Sequence, residues 1–351
     1  MANFDDASNR LQILKQDLRN HQLKSFYIFY GEESYLLHYY LDQVKKQLVD
    51  ELTESFDYHK LTTENFDIQS LANAVESMPM MAEKTFVWVD DIDIFKLNET
   101  DRSRLTEIFV DIPDYCTVIL TFETTPWKPD KRFKKLWDAI SGHAEIVDFP
   151  KQSQSDLIKW IGRRFAAEGK TISSDLCVYL IDITGGTMTA LAGEISKIAT
   201  FSDAETVTKS DIDAVTEPVL DAVVFQMTDM LGEGSYGPAL EKLQQLLKKQ
   251  QKPIAILGAI GNHFRRISAA VLLNANGKNV SDLSKICGIS EYAAKKTMNV
   301  AKRFSPSFCA FLAEQVMETD LKMKTSYDEP ERLLELLLLR ISVEAKNGQH
   351  P

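Results

Sequence analysis

The loop after the first apolar run is where nucleotide chemistry would be expected. The run FYIFY predicts a buried strand that ends at Gly31. A phosphate-binding loop needs the pattern G-x-x-x-x-G-K-[ST] after such a strand, because its amides and its lysine surround the phosphates. Here Leu36 and Leu37 occupy the Gly-Lys positions. Glu32 and Glu33 would also repel a phosphate, so the sequence predicts that no phosphate binds here.

Two aspartates after a later apolar run are the second candidate for chemistry. Asp90 and Asp91 end the run FVWVDD, as the metal-binding residues of a Walker B strand do. They either bind a divalent cation beside a cryptic nucleotide site or are loop carboxylates with no such role, and the missing phosphate loop favours the second interpretation. The six histidines and four cysteines lack zinc-ligand spacing, and there is no G-x-S-x-G elbow. We therefore predict no catalytic residue, no metal site and no cofactor.

The third feature is apolar. Met78, Pro79, Met80 and Met81 stand just ahead of the run TFVWVD. Methionine fills gaps in cores, but it also lines adaptable binding surfaces. A turn that contains proline, between a helix and a strand, is more naturally exposed, and an exposed apolar turn indicates an interface. The alternative is that these methionines plug the edge of a sheet from inside.

These features lie in a segment, residues 26–149, that alternates between strand and helix patterns. Five apolar runs predict strands, and stretches with helical spacing separate them. The run TVILTFE is almost entirely apolar or β-branched, as expected for a strand covered on both faces. This alternation predicts a mainly parallel sheet with helices on both faces. We assign residues 1–150 to an α/β domain.

Strand patterns stop at Pro150, and the rest of the chain is predicted to be helical. Four short amphipathic stretches with capping residues and glycines indicate a small all-α domain over residues 151–216. Residues 217–351 form a second all-α domain in which Pro253 begins a long helix. The leucines of the last helix cover more than one face, which is typical of a helix packed centrally or against another chain.

Charged clusters indicate candidate contacts with other molecules. The net charge of −11 argues against a protein that binds DNA alone, so nucleic acid is expected only as a shared partner. The basic clusters contact a nucleic-acid backbone or an acidic partner, or they are solvated helix faces, which is the commoner situation. Their residues are Lys131, Arg132, Lys134, Lys135, Arg163 and Arg164. A further set lies within apolar helical stretches and is predicted either to pair between helices or to contact other subunits: Phe264, Arg265, Asp320, Lys322 and Lys324.

The location of the protein is predicted from what its sequence lacks. The first ten residues, MANFDDASNR, contain no basic segment followed by an apolar stretch, so no signal peptide is expected. No apolar run is long enough to span a membrane. The four cysteines are far apart and resemble small buried residues in a reducing compartment. A cytoplasmic location is therefore predicted.

The order of these features resembles the delta-subunit family of the bacterial DNA polymerase III clamp loader, over residues 15–346. The stretches that carry the resemblance are FYIFYGEESYLLHYYLDQV, SMPMMAEKTFVWVDD, ITGGTMTALAGEISKIATF, AVVFQMTDMLGEGSYGPALEKLQQLLKKQQKPIAILGAIGNHFRRI and DLKMKTSYDEPERLLELLLLRI. The resemblance implies an AAA+-like fold with a RecA-like first domain, a helical lid and a helical collar that oligomerises. It also implies a subunit that does not hydrolyse ATP and whose complex carries polymerase activity in another subunit.

The same resemblance implies partners. Such subunits insert a hydrophobic tip into a pocket of the ring-shaped sliding clamp, the beta subunit, and favour its opening for loading on primed DNA. Subunits of the tau/gamma and delta-prime types complete a hetero-pentamer, and primer-template DNA is bound only by the complex. The tip positions are Met78, Pro79, Met80 and Met81, where the family often has aromatic residues. Two other functions stay open: an AAA+-type ATPase that uses Asp90 and Asp91, or a purely structural helical adaptor.

Overall fold

The computed structural model describes residues 4–50, 52–289 and 291–347. The chain divides into two compact units, residues 1–152 and residues 153–351. The three predicted domains, with boundaries at 150/151 and 216/217, stay predictions.

The first unit is built on a five-stranded sheet in which every pair of neighbours is parallel, in the order β2-β3-β4-β1-β5. The strands are β1 (Phe26–Tyr30), β2 (Tyr58–Leu61), β3 (Thr85–Asp90), β4 (Cys116–Phe122) and β5 (Glu145–Asp148). The helices are α1 (Phe4–Asn20), α2 (Ser34–Leu48), α3 (Glu54–Asp57), α4 (Ile68–Glu76), α5 (Glu99–Val110) and α6 (Lys134–His143). The predicted α/β fold with a parallel sheet is confirmed.

Both faces of this sheet are covered, and the side chains of β4 alternate between the two apolar layers. Val118 belongs to the layer that contains Leu71 of α4 and Leu105 of α5. Its neighbour Ile119 belongs to the opposite layer, which contains Leu37 of α2. Every residue of β4 is buried, because successive side chains of a strand point to opposite faces and each face here meets helices.

Helix α1 was not predicted from the sequence. It packs along β5, where Arg10 Nη1 lies 2.9 Å from Glu145 Oε1. Leu14 is fully buried among the residues of α2 and β1, and Leu11 and Leu18 pack against the same layer. The helix therefore completes one face of the sheet rather than extending away from it.

The second unit is helical throughout its described residues, apart from an isolated bridge between Thr171 and Thr206. Its helices are α7 (Gln154–Ala167), α8 (Ser174–Thr184), α9 (Met188–Phe201), α10 (Lys209–Val215), α11 (Leu220–Gly232), α12 (Tyr236–Lys248), α13 (Pro253–Ala275), α14 (Val280–Cys287), α15 (Glu291–Ala301), α16 (Pro306–Thr325) and α17 (Pro330–Asn347). The seven helices from α11 onward share one apolar core around α13, which begins at Pro253 as predicted.

Within the described ranges, no single helix is both long enough and apolar enough to cross a membrane. Helices α8 and α9 meet the criterion only as a pair, across a bend of 120°. The cytoplasmic location stays a prediction.

Candidate functional site

The segment between α4 and β3, residues 77–84, holds the methionines in solvent; we call it the methionine loop. Met78, Met80 and Met81 have exposed fractions of 73%, 72% and 67%. Helix α4 buries Leu71 and Val75 and ends at Glu76, so the chain leaves the apolar layer before the methionines begin. The alternative in which they plug the sheet edge from inside is therefore wrong.

A buried carboxylate holds the backbone of the methionine loop. Asp57 ends α3, directly before the edge strand β2, and its side chain is inaccessible to solvent. The backbone amides of Met80, Met81 and Ala82 donate to its carboxylate oxygens at 2.6, 2.9 and 2.7 Å. Successive amides that converge on one anion form a nest, so the loop follows a fixed path. The bonds use main-chain atoms and leave the methionine side chains free.

The environment of Asp57 keeps it ionised. Burial alone would raise its pKa, but the amides of Met80, Ala82 and Met81 stabilise the carboxylate, and the net effect is a pKa below its ordinary value. His59, two residues further along, has a pKa lowered by burial, and the charge of Asp57 only partly opposes this. At neutral pH Asp57 is therefore charged and His59 neutral.

Two further contacts close the base of the methionine loop. The hydroxyl of Thr85, at the start of β3, donates to the carbonyl oxygen of Ser77 at 2.9 Å. The hydroxyl of Tyr115 donates to the carbonyl oxygen of Glu76 at 3.4 Å, and the amide of Thr85 donates to the carbonyl of Tyr115 at 2.8 Å. The loop is thus fixed at both ends and in its middle.

Exposed apolar side chains also precede Asp57 in the chain. Phe56 is 48% exposed and Leu52 is 79% exposed. Since Asp57 binds the methionine loop directly, this segment lies beside the loop at the amino end of β2 and β3. Sequence reasoning missed both Asp57 and Phe56.

The carboxyl end of the sheet, where a phosphate loop would lie, is closed by the chain itself. Gly31 has a φ of +138°, and a Cβ at this position would lie 2.3 Å from the carbonyl oxygen of Phe149. The same oxygen accepts from the amide of Glu33 at 3.0 Å. Leu37 is fully buried, and burial raises the pKa of Glu33, although bonding to a backbone amide and Lys151 oppose it. The amide of Glu33 is therefore engaged by the chain itself, and Leu37 occupies the position of the phosphate-loop lysine.

Asp90 and Asp91 are occupied by bonds to the sheet and its loops. Asp90 accepts from the Thr121 hydroxyl at 3.0 Å and lies 3.2 Å from Lys60 Nζ. Asp91 accepts from the amides of the residues at 123–125 and from the Thr124 hydroxyl. Burial would raise its pKa, but these bonds outweigh burial and lower it. In the part of the chain that is described, no group of three or more His, Cys, Asp or Glu residues could hold a metal ion.

The two basic clusters lie in different units: the first in residues 1–152 and the second in residues 153–351. Lys131, Arg132, Lys134 and Lys135 are exposed at the start of α6, but Arg132 is held by a bidentate contact with Asp130, 2.6–3.0 Å away. The second cluster lies on α7, where Arg163 is exposed and donates to the carbonyl of Lys159 at 3.3 Å. Arg164, on the same helix, lies over the ring of Trp160. Their contact with DNA or a partner stays a prediction.

The residues proposed for the collar play different parts. Phe264 is only 3% exposed and belongs to the core of the second unit, so it supports that unit from within, whereas Arg265 is exposed. Two of the ion pairs lie within one helix rather than between helices: Lys322 with Glu318 and Lys324 with Asp320, both at 2.6 Å and four residues apart. The expected interhelical pairing is therefore wrong for these lysines, and the inter-subunit role stays a prediction.

The chain matches family profiles in both units and relatives from two bacteria. The family profile described as "DNA polymerase III, delta subunit" matches residues 27–149, and the one described as "DNA polymerase III delta subunit, C-terminal domain" matches residues 221–341. Over 343 residues the chain is 24% identical to DNA polymerase III subunit delta of Bacillus subtilis, which covers 95% of this chain and 98% of that one. It is 20% identical over 329 residues to a probable subunit delta of Aquifex aeolicus, with coverages of 92% and 93%.

A solved structure has the same fold. The Bacillus subtilis DNA clamp loader delta protein superposes with a TM-score of 0.66 at 24% identity, covering 95% of this chain and 99% of that chain. The two proteins therefore share a fold in which a parallel sheet is followed by helices, and in this chain Leu36 and Leu37 stand at the Gly-Lys positions of a phosphate loop. More particularly, the chain belongs to the DNA polymerase III delta-subunit family.

Proposed function

We propose that this chain is the clamp-loader subunit that binds the ring-shaped sliding clamp and helps to open it for loading on primed DNA. The observation that carries the proposal is the methionine loop: an exposed apolar loop whose backbone is fixed by Asp57, in a chain of the delta-subunit family. An apolar surface held in one conformation suits insertion into an apolar pocket, because little ordering entropy is lost on binding.

The apolar surface of the loop is large enough to matter. Complete burial of a methionine side chain is worth about 1.5–3 kcal/mol. Met80 and Met81 still expose 72% and 67% of their surface in the free chain. Burying that remainder in a partner would contribute about 1–2 kcal/mol for each residue, or about 2–4 kcal/mol for the pair. At 1.4 kcal/mol per tenfold change, this corresponds to about 30- to 1,000-fold in affinity.

Opening the clamp requires more than affinity. A subunit shifts a ring from closed to open only when it binds the open ring more tightly, by the free energy of the shift. We infer that the methionine loop supplies this difference by occupying a pocket beside the ring interface. The energy of nucleotide hydrolysis would come from other loader subunits, because the loop after β1 lacks the phosphate-binding residues and its Glu33 amide is bonded to Phe149.

The remaining partners are part of the same proposal. The helices of residues 217–351 would form a collar with subunits of the tau/gamma and delta-prime types in a hetero-pentamer. Primer-template DNA would be contacted only within that complex, and the exposed lysines at the start of α6 are candidate contacts. Polymerase activity would belong to another subunit of the holoenzyme.

The test is a pair of substitutions in the methionine loop. The variant with Met80→Ser and Met81→Ser is expected to bind its cognate sliding clamp about 30- to 1,000-fold more weakly, as measured by calorimetry with the full chain. Met317→Ser is the matched control, because Met317 is 73% exposed but lies on α16. Equal affinity of the loop variant and the parent chain would reject the assignment.

Two further measurements separate the alternatives. A fluorophore pair across the clamp interface should report ring opening when the chain is added, and a chain that binds without opening the ring would favour an adaptor. Tight binding of ATP that is lost in Asp90→Asn would instead favour a cryptic nucleotide site. The bonds of Asp90 to Thr121 and Lys60 argue against that site.

A further inference from the structure

We propose that Asp57 is the positioning residue of the clamp-binding surface, because it joins the methionine loop to the segment that carries Phe56. This inference rests on the proposed function for the identity of the partner, an apolar pocket on the sliding clamp. It adds a residue that lies outside the loop and that does not itself contact the partner.

The need for such a residue follows from the chemistry of the loop. Methionine is unbranched and flexible, so it cannot fix its own position as a rigid aromatic anchor does. Preorganisation must therefore come from the backbone. The backbone amides of Met80, Met81 and Ala82 each donate a hydrogen bond to the carboxylate of Asp57, with N···O distances of 2.6–2.9 Å.

The carboxylate is suited to this task by its charge and position. Hydrogen bonds to an ionised acceptor are stronger than bonds between neutral groups. Asp57 is fully buried between the methionine loop and the start of β2, so solvent does not compete for its oxygens. An asparagine of the same shape would lose the charge and would turn an NH₂ group toward at least one amide that needs an acceptor.

The same contact brings a second exposed segment into the surface. Phe56 is the residue next to Asp57 and is 48% exposed. Because Asp57 is bonded to three successive residues of the methionine loop, the segment that carries Phe56 lies beside that loop. Phe56 would thus add an aromatic side chain to the clamp-binding surface.

The experiment compares Asp57→Asn with the parent chain in two measurements on the full-length protein. Hydrogen–deuterium exchange of the amides at 80–82 should accelerate, while β3 and β4 keep their protection. Affinity for the cognate clamp should fall about 5- to 30-fold, because a smaller fraction of molecules has the binding conformation. In the background of Met80→Ser and Met81→Ser, Asp57→Asn should cause a smaller further loss, because residues that act together are not additive.

The matched control is Asp91→Asn. Asp91 also accepts three consecutive backbone amides and has a lowered pKa, but it lies at the carboxyl end of β3 rather than near the loop. This variant should leave the exchange of the amides at 80–82 and the clamp affinity unchanged.

The outcomes distinguish the inference from the proposed function. Unchanged exchange at 80–82 in Asp57→Asn would overturn the inference, whatever the clamp data. Faster exchange with unchanged affinity would also overturn it if the methionine variant binds weakly. If the methionine variant itself binds normally, the proposed function fails and the inference about the clamp fails with it.

Discussion

Gly31 offers a direct test of how the loop after β1 is closed. Its φ of +138° is a conformation that residues with a side chain rarely adopt. A Cβ at this position would lie 2.3, 2.6 and 2.7 Å from the carbonyl oxygen, carbonyl carbon and amide nitrogen of Phe149. Since the amide of Phe149 donates to the carbonyl of Tyr30 at 2.7 Å, the chain after β5 cannot move away without breaking its contact with β1.

Gly31→Ala is expected to destabilise the first unit, because the added methyl group meets backbone atoms. Real Cβ atoms hardly ever approach another heavy atom closer than 3.0 Å, and the closest contact here would be about 0.7 Å shorter than that. The atoms in the way belong to the backbone, which cannot move aside as a flexible side chain can. Backbone strain of this kind costs about 1–3 kcal/mol. Overpacking costs about 1–3 kcal/mol more. We expect a loss of about 2–6 kcal/mol from a total free energy of unfolding that is typically about 5–15 kcal/mol.

The assay is urea denaturation followed by tryptophan fluorescence, since Trp88, Trp127 and Trp137 all lie in the first unit. Gly142→Ala is the control within that unit: Gly142 lies in α6, and a Cβ there would meet nothing within 4 Å. It should be neutral or should stabilise the helix by about 0.5–1 kcal/mol. A loss below about 1 kcal/mol for Gly31→Ala would refute the closed arrangement.

Three other outcomes are expected. Millimolar MgATP should leave the melting temperature of the chain unchanged, because no nucleotide is expected to bind. A nucleotide site at 100 times its Kd would instead stabilise the fold by about 2.7 kcal/mol, so a clear upward shift would contradict this expectation. Phe56→Ser should weaken clamp binding more than Phe201→Ser, since Phe201 is similarly exposed but lies on α9. Equal affinities of the two variants would show that Phe56 is not part of the clamp-binding surface. The lowered pKa values of Asp57 and Asp91 stabilise the fold above the unfolded value of about 3.9, so stability should fall as pH drops through the folded values. In chemical denaturation at several pH values, Asp57→Asn with Asp91→Asn should flatten that fall, and an unchanged slope would contradict it.

Much of the fold follows from local patterns in the sequence. The apolar run that became β4 predicts a strand covered on both faces, and all its residues are buried. Proline in the turn after α4 correctly indicates that the methionines are exposed. Leu11, Leu14 and Leu18 have helical spacing, so α1 could have been predicted from its own residues.

Contacts between residues that are far apart in the sequence could not be predicted from these local patterns. Asp57 is an ordinary aspartate in the sequence, and its partners lie 23–25 residues later. Only the parallel pairing of β2 with β3 brings the two segments together. Likewise, the sequence places Asp90 and Asp91 at the end of a strand, where metal ligands often lie. The structure shows instead that Asp91 accepts hydrogen bonds from backbone amides of the loop after β4. These roles depend on tertiary structure, which hydrophobic periodicity does not encode.

The hydrogen bonds between Asp57 and the loop involve backbone amides, and this has a consequence for evolution. Because the carboxylate bonds to backbone amides, mutation can exchange the methionine side chains while the loop keeps its course. Under the proposed function, related chains could thus change the side chains of the loop together with the pocket of their own clamp, one substitution at a time, without losing the fold. The same independence would allow designed side chains to be presented at residues 80–82 on an unchanged scaffold.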